Sequence, residues 1–343
     1  MLPPLSAFRS PRWTLYCGSM PSSRLDVLCF APAASLSRIC ALLVAISAAQ
    51  AQTPPSRPAI TGVAHIALLA HDLNASRDFY RTFLGFEEPY TLQKPDGSPS
   101  MLFFKINDRQ YIELSPESEA GTDRLSHIAI ETNDAEAMRA YLASRGVTVP
   151  DSVPKGRIGN LNFTIKDPQG HSVEIVQYGP QSWTVRERGK HMPDGRISKH
   201  MMHVGIIVNS LAPEMNFYTE VLGFKEIWRG SSNGTVLSWV NLRVPDGQDY
   251  IEFMLYKESP PPTDRGSAHH LCLEVPAIEA SLSALNAKPY RARYSRPLQI
   301  RTGTNRKRQL NLFDPDGTRT ELMEPITVDG KPTPPSEAPP PAP

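Results

Sequence analysis

Four histidines and four glutamates recur at matched intervals along this 343-residue chain: His65 with Glu113, His127 with Glu174, His203 with Glu252 and His270 with Glu321. The spacings are 48, 47, 49 and 51 residues. Each histidine stands in a short alternating apolar run and each glutamate in a second one, so both read as strand residues. Imidazole nitrogens with one or two carboxylates suit a divalent Fe, Zn, Ni or Mn ion. A set with an open position can also hold water or a substrate oxygen beside the metal. A single strand histidine is more often a satisfied core residue. Four at the same strand position, among nine histidines in all, argue against that reading.

The elements that position these residues follow from an internal repeat, the first thing to look for in such a chain. His65-Ile66-Ala67-Leu68, Phe79-Tyr80 and Leu84-Gly85-Phe86 return 138 positions later as His203-Val204-Gly205-Ile206, Phe217-Tyr218 and Leu222-Gly223-Phe224. His127-Ile128-Ala129-Ile130-Glu131 returns as His270-Leu271-Cys272-Leu273-Glu274, and Asp167-Pro168-Gln169-Gly170 returns as Asp314-Pro315-Asp316-Gly317. The two halves are a duplication, and each half divides again into a histidine strand, a helix, and extended segments ending in a glutamate strand. The expected fold is therefore mixed α+β, four βαβββ units in two tandem domains over residues 60–180 and 200–326, joined by a linker at 181–199.

Local signals place the elements. Asn74 is the expected cap of the first helix, with Phe79, Tyr80, Phe83 and Leu84 at helical spacing and Gly85 as its stop. Asn133 or Asp134 caps the second helix, which carries Met138, Tyr141 and Leu142 on one face and stops at Gly146. Side chains alternate across a strand, so Ile112 and Leu114 face one way and Tyr111, Glu113 and Ser115 the other. The glutamate face should look into a cavity and the apolar face should lie under the helices. Cys272 shares a face with His270 and Glu274 and is read as a small buried hydrophobe.

The ends differ from the middle. Arg38, an apolar stretch over 39–46 and the small-residue end Ala49-Gln50-Ala51 have the order of a secretory signal peptide, with cleavage expected after Ala51 and Met20 an alternative start. The apolar stretch is too short for a membrane span, so no anchor is expected once it is removed. Without residues 1–51, which hold four arginines and one aspartate, 32 basic and 34 acidic side chains remain. That balance lacks the footprint of a nucleic-acid binder. The dense basic cluster Arg306-Lys307-Arg308 reads as a solvated loop, with a contact for an anionic substrate as the alternative. Cysteine offers no internal disulfide, because Cys272 alone lies beyond residue 51. Residues 332–343, with seven prolines, are expected to form a disordered tail.

Over residues 60–325 the chain resembles the vicinal-oxygen-chelate superfamily, also called the glyoxalase, bleomycin-resistance and extradiol-dioxygenase superfamily. The resembling pieces are the His-apolar-Ala-apolar strand, the Phe-Tyr helix ending Leu-Gly-Phe, and the Asp-Pro-x-Gly turn before a glutamate strand. The resemblance implies paired βαβββ units curving around one metal that chelates two adjacent oxygens of a small substrate. It implies His65, Glu113, His127, Glu174, His203, Glu252, His270 and Glu321 as ligands, whether the units pair within or across the halves. It also implies lyase or isomerase chemistry of the glyoxalase kind, with Glu174 or Glu321 as base. A glutathione adduct would be scarce outside the cell, so an exported member would need another small oxygen-rich substrate. Ring-cleaving non-haem Fe(II) dioxygenases share the four-unit layout, but Thr164 and Asn311 stand where their signature expects tyrosine, and its histidine is missing too. Drug-sequestering binding proteins are the third class, against which the full ligand set argues.

Overall fold

The computed structural model describes residues 55–342. The first half contains β1 (Ile60–Ala70), α1 (Leu73–Asp78), β2 (Glu87–Gln93), β3 (Pro99–Lys105), β4 (Tyr111–Pro116), β5 (Leu125–Thr132), α2 (Ala135–Ser144), β6 (Leu161–Lys166) and β7 (Ser172–Gln177). A short α3 (Trp183–Arg186) follows. The second half contains β8 (His200–Val208), α4 (Leu211–Met215), β9 (Lys225–Gly230), β10 (Trp239–Arg243), β11 (Tyr250–Leu255), β12 (His270–Glu274), α5 (Ile278–Ala287), β13 (Ile300–Thr302), β14 (Lys307–Phe313) and β15 (Arg319–Thr327).

The strands form two sheets, ordered β2-β3-β4-β1-β5-β7-β6 and β13-β14-β15-β12-β8-β11-β10-β9. This is the expected pair of tandem domains, and the sheets pair the units within each half. The two histidine strands of a half lie side by side and antiparallel, each flanked on its other edge by its own glutamate strand in parallel. The second unit departs from the pattern: its first extended segment is reduced to a single bridge between Lys155 and Leu161, leaving seven strands against eight.

The helix caps show where sequence signals compete. Asp72, not Asn74, caps α1, accepting hydrogen bonds from the Asn74 and Ala75 amides at 3.0 Å. Asp134 caps α2 through the Ala137 amide. Beyond α1 the chain widens into a π-turn over Phe79–Phe83, where the Leu84 amide reaches the Phe79 carbonyl. The same turn occurs over Asn216–Val221. The extra residue per turn lets Phe79, Tyr80, Phe83 and Leu84 all be buried. Gly85 and Gly223 then leave at φ of 81° and 79°, a region open to glycine.

On the helix side Ile66, Leu68, Ile112, Leu114, Ile128 and Ile175 join the helix aromatics in one core that continues through Val204, Ile206, Phe253 and Leu322 of the second half. The helix layers thus pack across the halves although the sheets do not. Phe83 stacks on Tyr290 with ring centroids 5.0 Å apart, and Tyr141 donates to the Val221 carbonyl at 2.7 Å.

Two segments outside the repeats are more structured than expected. Within the linker, Trp183 is buried against Phe103 and Tyr111. The proline-rich tail lies along the second half instead of standing free. The Pro339 carbonyl accepts from Leu237, the Ser336 amide donates to the Arg229 carbonyl, and Thr333 donates to Asn305. Extended proline-rich backbone keeps its carbonyls unpaired, and here the loop after β9 donates to one of them, while the β9 carbonyl of Arg229 accepts a tail amide. The expected signal peptide over residues 1–51 lies outside the described residues.

Candidate functional site

Strand order brings the eight repeated residues together as two sets of four. Across the first sheet β4, β1, β5 and β7 place Glu113, His65, His127 and Glu174 in that order. Across the second, β11, β8, β12 and β15 place Glu252, His203, His270 and Glu321. All eight side chains point away from the helix-covered face, as their alternation with Ile66, Ile112, Val204 and Ile251 requires.

In the first set the two Nε2 atoms lie 3.0 Å apart. Glu113 stands 3.6 Å from His65 and 3.7 Å from His127, and Glu174 stands 3.3 Å from His127 and 4.0 Å from His65. In the second set the Nε2 atoms are 3.1 Å apart. Glu252 lies 3.5 Å from His270 and 3.9 Å from His203, while Glu321 lies 3.5 Å from His203 and 3.7 Å from His270. Metal–ligand bonds of about 2.0–2.2 Å put neighbouring donors roughly 3–3.5 Å apart, so both sets have the spacing of groups around one ion. One donor atom from each of His203, Glu252, His270 and Glu321 falls within 4.8 Å of the others. In the first half His65, Glu113 and His127 meet that limit and Glu174 stands slightly further out.

The electrostatics of both sets fit a divalent cation. Burial drives His65 down to about 3 and, with Arg319 beside it, His270 likewise to about 3. Both rings are neutral, the form that binds metal. Burial lifts Glu113 to about 8 and raises Glu252. Glu174 is buried too, but the hydrogen bond from His127 holds it below the usual carboxylate range. Glu321, against the same burial, is held low by Arg319 and the two histidines. In each site two buried carboxyl groups face an imidazole that burial keeps neutral, while Glu113 and Glu174 raise His127, and such a set suits a divalent cation.

The supporting residues are partly new. His65 stacks on Tyr111 at 4.6 Å and His203 lies over Tyr250 at 4.5 Å; each tyrosine is two residues before its glutamate, which marks it from sequence as a cavity residue. His270 donates from Nδ1 to the Ala268 carbonyl at 2.7 Å, which leaves Nε2 bare. Asn162 donates to Glu174 at 2.9 Å and so orients it. Cys272 is fully buried with Met202, Tyr250 and Met323. Trp183 was hidden in a segment that read as a linker. Arg319, two residues before Glu321 and therefore on its face, was also missed, and its Nη2 lies 2.9 Å from His270 Nε2.

The family model described as the glyoxalase/bleomycin resistance protein/dioxygenase superfamily matches twice, at residues 62–175 and 200–322. A lactoylglutathione lyase of Schizosaccharomyces pombe is 25% identical over 275 residues, covering 72% of this chain and 84% of its own. Among solved structures, a Mn(II)-bound glyoxalase from Novosphingobium aromaticivorans is similar at 18% identity and a TM-score of 0.58, covering 78% of this chain and 83% of that one. A 2,3-dioxygenase from Pseudomonas sp. KL28 is similar at 20% identity and a TM-score of 0.58, with coverage of 81% and 97%. Both halves carry the family's match and the family's fold, and the chain belongs to the glyoxalase/bleomycin resistance protein/dioxygenase superfamily.

Proposed function

We propose that this chain is an exported, metal-dependent enzyme that removes a proton next to a carbonyl in a small substrate with adjacent oxygens, the lyase or isomerase chemistry of the glyoxalase kind. The observation that carries the reading is the pair of two-histidine, two-glutamate sets, His65, Glu113, His127, Glu174 and His203, Glu252, His270, Glu321, each on four adjacent strands. A divalent Fe, Zn, Ni or Mn ion held by them would supply Lewis acidity toward the two substrate oxygens.

The chain's own groups would do the rest. Glu174 and Glu321 are the carboxylates kept ionised, and an ionised carboxylate accepts a proton at Oε2. Asn162 fixes Glu174 through its other oxygen, and the rigid strands hold each base in register. Tyr111 and Tyr250 back the histidines and exclude water from that side. The signal-like order of Arg38, the apolar stretch 39–46 and Ala49-Gln50-Ala51 supports export. An exported enzyme would act on a small molecule other than a glutathione adduct.

Ring cleavage by a non-haem Fe(II) site is the competing reading. It calls for a proton-carrying side chain beside the carboxylate, and β6 and β14 instead set Thr164 opposite Glu174 and Asn311 opposite Glu321. A simple experiment separates the two. Protein loaded in turn with each metal is incubated in deuterated water with small 2-oxoaldehydes and hydroxyketones, and in parallel with catechols under oxygen. Deuterium entering at the carbon beside the carbonyl, lost in Glu174→Gln plus Glu321→Gln, supports the proposal. Oxygen consumption with catechols and no deuterium exchange overturns it.

A further inference from the structure

The two sets of ligands are alike, but their surroundings are not. Arg319 stands on β15 two residues before Glu321, and its guanidinium reaches into the second set. Arg301 on β13 lines the same opening as Arg319, a cavity of about 210 Å³ walled by Trp228, Trp239, Glu252 and Glu321. Lys307, at the start of β14, is half-buried and lines the adjoining cavity with Trp228, Asn241 and Tyr250, and burial pulls its amine below the usual range.

The duplication provides an internal control. Arg319, Lys307 and Arg301 correspond, 147 positions earlier, to Ser172, Asn160 and Pro154. The first set is flanked instead by Tyr90, Phe103, Tyr111 and Trp183. The second half has therefore placed three cations where the first has none.

None of these three cations is in a salt bridge among the described residues, although Arg301 donates to Gln299 at 3.0 Å. The neighbouring arginines of the basic cluster are committed outward, Arg306 to Asp329 and Arg308 to Glu279 and Glu324. Among the described residues no carboxylate lies within 4.0 Å of the charged nitrogens of Arg301, Lys307 or Arg319. The Nε of Arg319 is buried without a hydrogen-bond partner, and one of its Nη atoms rests on His270, an acceptor a metal would claim. A part-buried guanidinium whose Nε has no acceptor, and which no carboxylate contacts, has donors to spare, and a planar oxyanion is their best partner.

We infer that the second half's site takes a substrate bearing an oxyanion, a carboxylate in the first instance, in addition to its adjacent oxygens, with Arg319 as the specificity-determining residue and Arg301 and Lys307 supporting it. The first half's site, walled by aromatics, takes an uncharged one. This rests on the metal-site reading above for the adjacent oxygens and not for the anion.

The test uses the full mature chain carrying His127→Ala, which leaves the second set as the one complete site. With metal bound, calorimetry compares catechol with 3,4-dihydroxybenzoate, two chelators that differ in a carboxylate. The expected result is at least tenfold tighter binding of 3,4-dihydroxybenzoate. Arg319→Ser, which copies the first half, should remove that preference, and metal content should not fall, because the guanidinium competes with the cation for His270 Nε2. Arg319→Lys should keep part of it, and Arg301→Ala, on an exposed edge, should reduce it without affecting folding. Inorganic phosphate should compete with the dihydroxybenzoate if any compact oxyanion is accepted and should not if the planar carboxylate is required. Equal affinities, or a preference that survives Arg319→Ser, would overturn the inference with the metal reading intact. If no metal is retained the metal reading fails, and the anion site is then judged on metal-free protein. Quenching of Trp228 and Trp239 fluorescence by 3,4-dihydroxybenzoate that depends on Arg319 supports it, and its absence overturns it.

Discussion

The Tyr80 hydroxyl donates to Asp314 at 3.1 Å, across 234 residues of chain, and Tyr218 makes the matching contact to Asp167 at 3.3 Å. Each bond joins the Phe-Tyr motif of one half to the Asp-Pro turn of the other. Both tyrosines are fully buried and both aspartates nearly so. The most repetitive motifs in the sequence thus hold the two halves together, while the histidine–glutamate sets assemble within a half.

Tyr80→Phe should therefore destabilise the whole molecule and not one domain. It strands a buried carboxyl that burial already lifts to about 7, for which a loss of about 1–3 kcal/mol is expected. Tyr218→Phe should cost less, because Asp167 keeps its bond to His171 at 2.7 Å, and the two should add because the bonds lie at different contacts. Urea unfolding should show one cooperative transition moved to lower denaturant. A split into two transitions would show that the halves unfold independently and that the bonds do not couple them.

A second contact between the halves makes stability depend on pH. His200 bonds Asp249 at 2.7 Å and Glu274 at 3.0 Å, using both ring nitrogens, so it is a charged imidazolium. Asp249 also accepts from the Val63 amide and from Gln110 of the first half. The bond to Asp249 is the main reason that His200 is raised from 6.5 to about 9. A raised folded-state value adds stability that is complete below pH 6.5 and lost as pH rises through 9. At 1.36 kcal/mol per unit the full shift corresponds to about 3 kcal/mol; the ring is a third exposed, and solvent screening reduces this to about 1 kcal/mol. Urea midpoints should fall between pH 6.5 and 9 in the parent and stay level in His200→Gln over the same range. An equal slope in both proteins would remove His200 from the account.

The two histidine–glutamate sets were legible because a duplicated pattern repeats the same residue types at matched positions, and strand alternation then fixes which face they share. Their surroundings were less so. Trp183 comes from a segment without periodicity, and its role depends on a cavity formed by Phe103 and Tyr111 from far earlier in the chain. Arg319 carried a readable signal, its two-residue offset from Glu321, but a charged strand residue is usually solvated, which hid it. Lys307 lay in a cluster whose two neighbours are indeed surface residues, so the cluster as a whole read as a loop. Asp72 and Asn74 are both good caps, and two amides within reach of one carboxylate decided between them. Whether the units pair within or across the halves had two answers at once, within for the sheets and across for the helices, because the two faces of each sheet bury against different partners.

Export gives a direct prediction. When the full chain is expressed in a Gram-negative host, the soluble protein recovered outside the cytoplasm should begin at Gln52, as expected from the Ala49-Gln50-Ala51 end. Ala49→Lys and Ala51→Lys together should block processing, since the site requires small residues. Amino-terminal sequencing that finds residues 38–51 intact in mature material would remove the export proposal and restore a glutathione adduct as a plausible substrate.

The last prediction concerns the independence of the two sites. Each set draws its ligands from one sheet, so removing one imidazole should empty one site and spare the other. His127→Ala and His270→Ala should each lose about one equivalent of metal and the double variant about two, because rigid strands cannot move a replacement ligand into place. The equivalents need not be held equally tightly. In the second set the Arg319 guanidinium rests on His270 Nε2, and a cation must displace it before binding, whereas among the described residues no lysine or arginine bonds His127. At limiting metal the first equivalent should therefore disappear in His127→Ala and persist in His270→Ala. Metal binds the folded form alone, so thermal midpoints should rise with added metal in the parent and in each single variant, and not in the double variant. Full metal content in the double variant would mean that these histidines are ordinary strand residues, and the function proposed here would go with them. Loss of the first equivalent in His270→Ala instead would reverse the ranking of the sites: the arginine would then be held clear of the metal by the substrate's anion or by water, and the second half would be the stronger of the two.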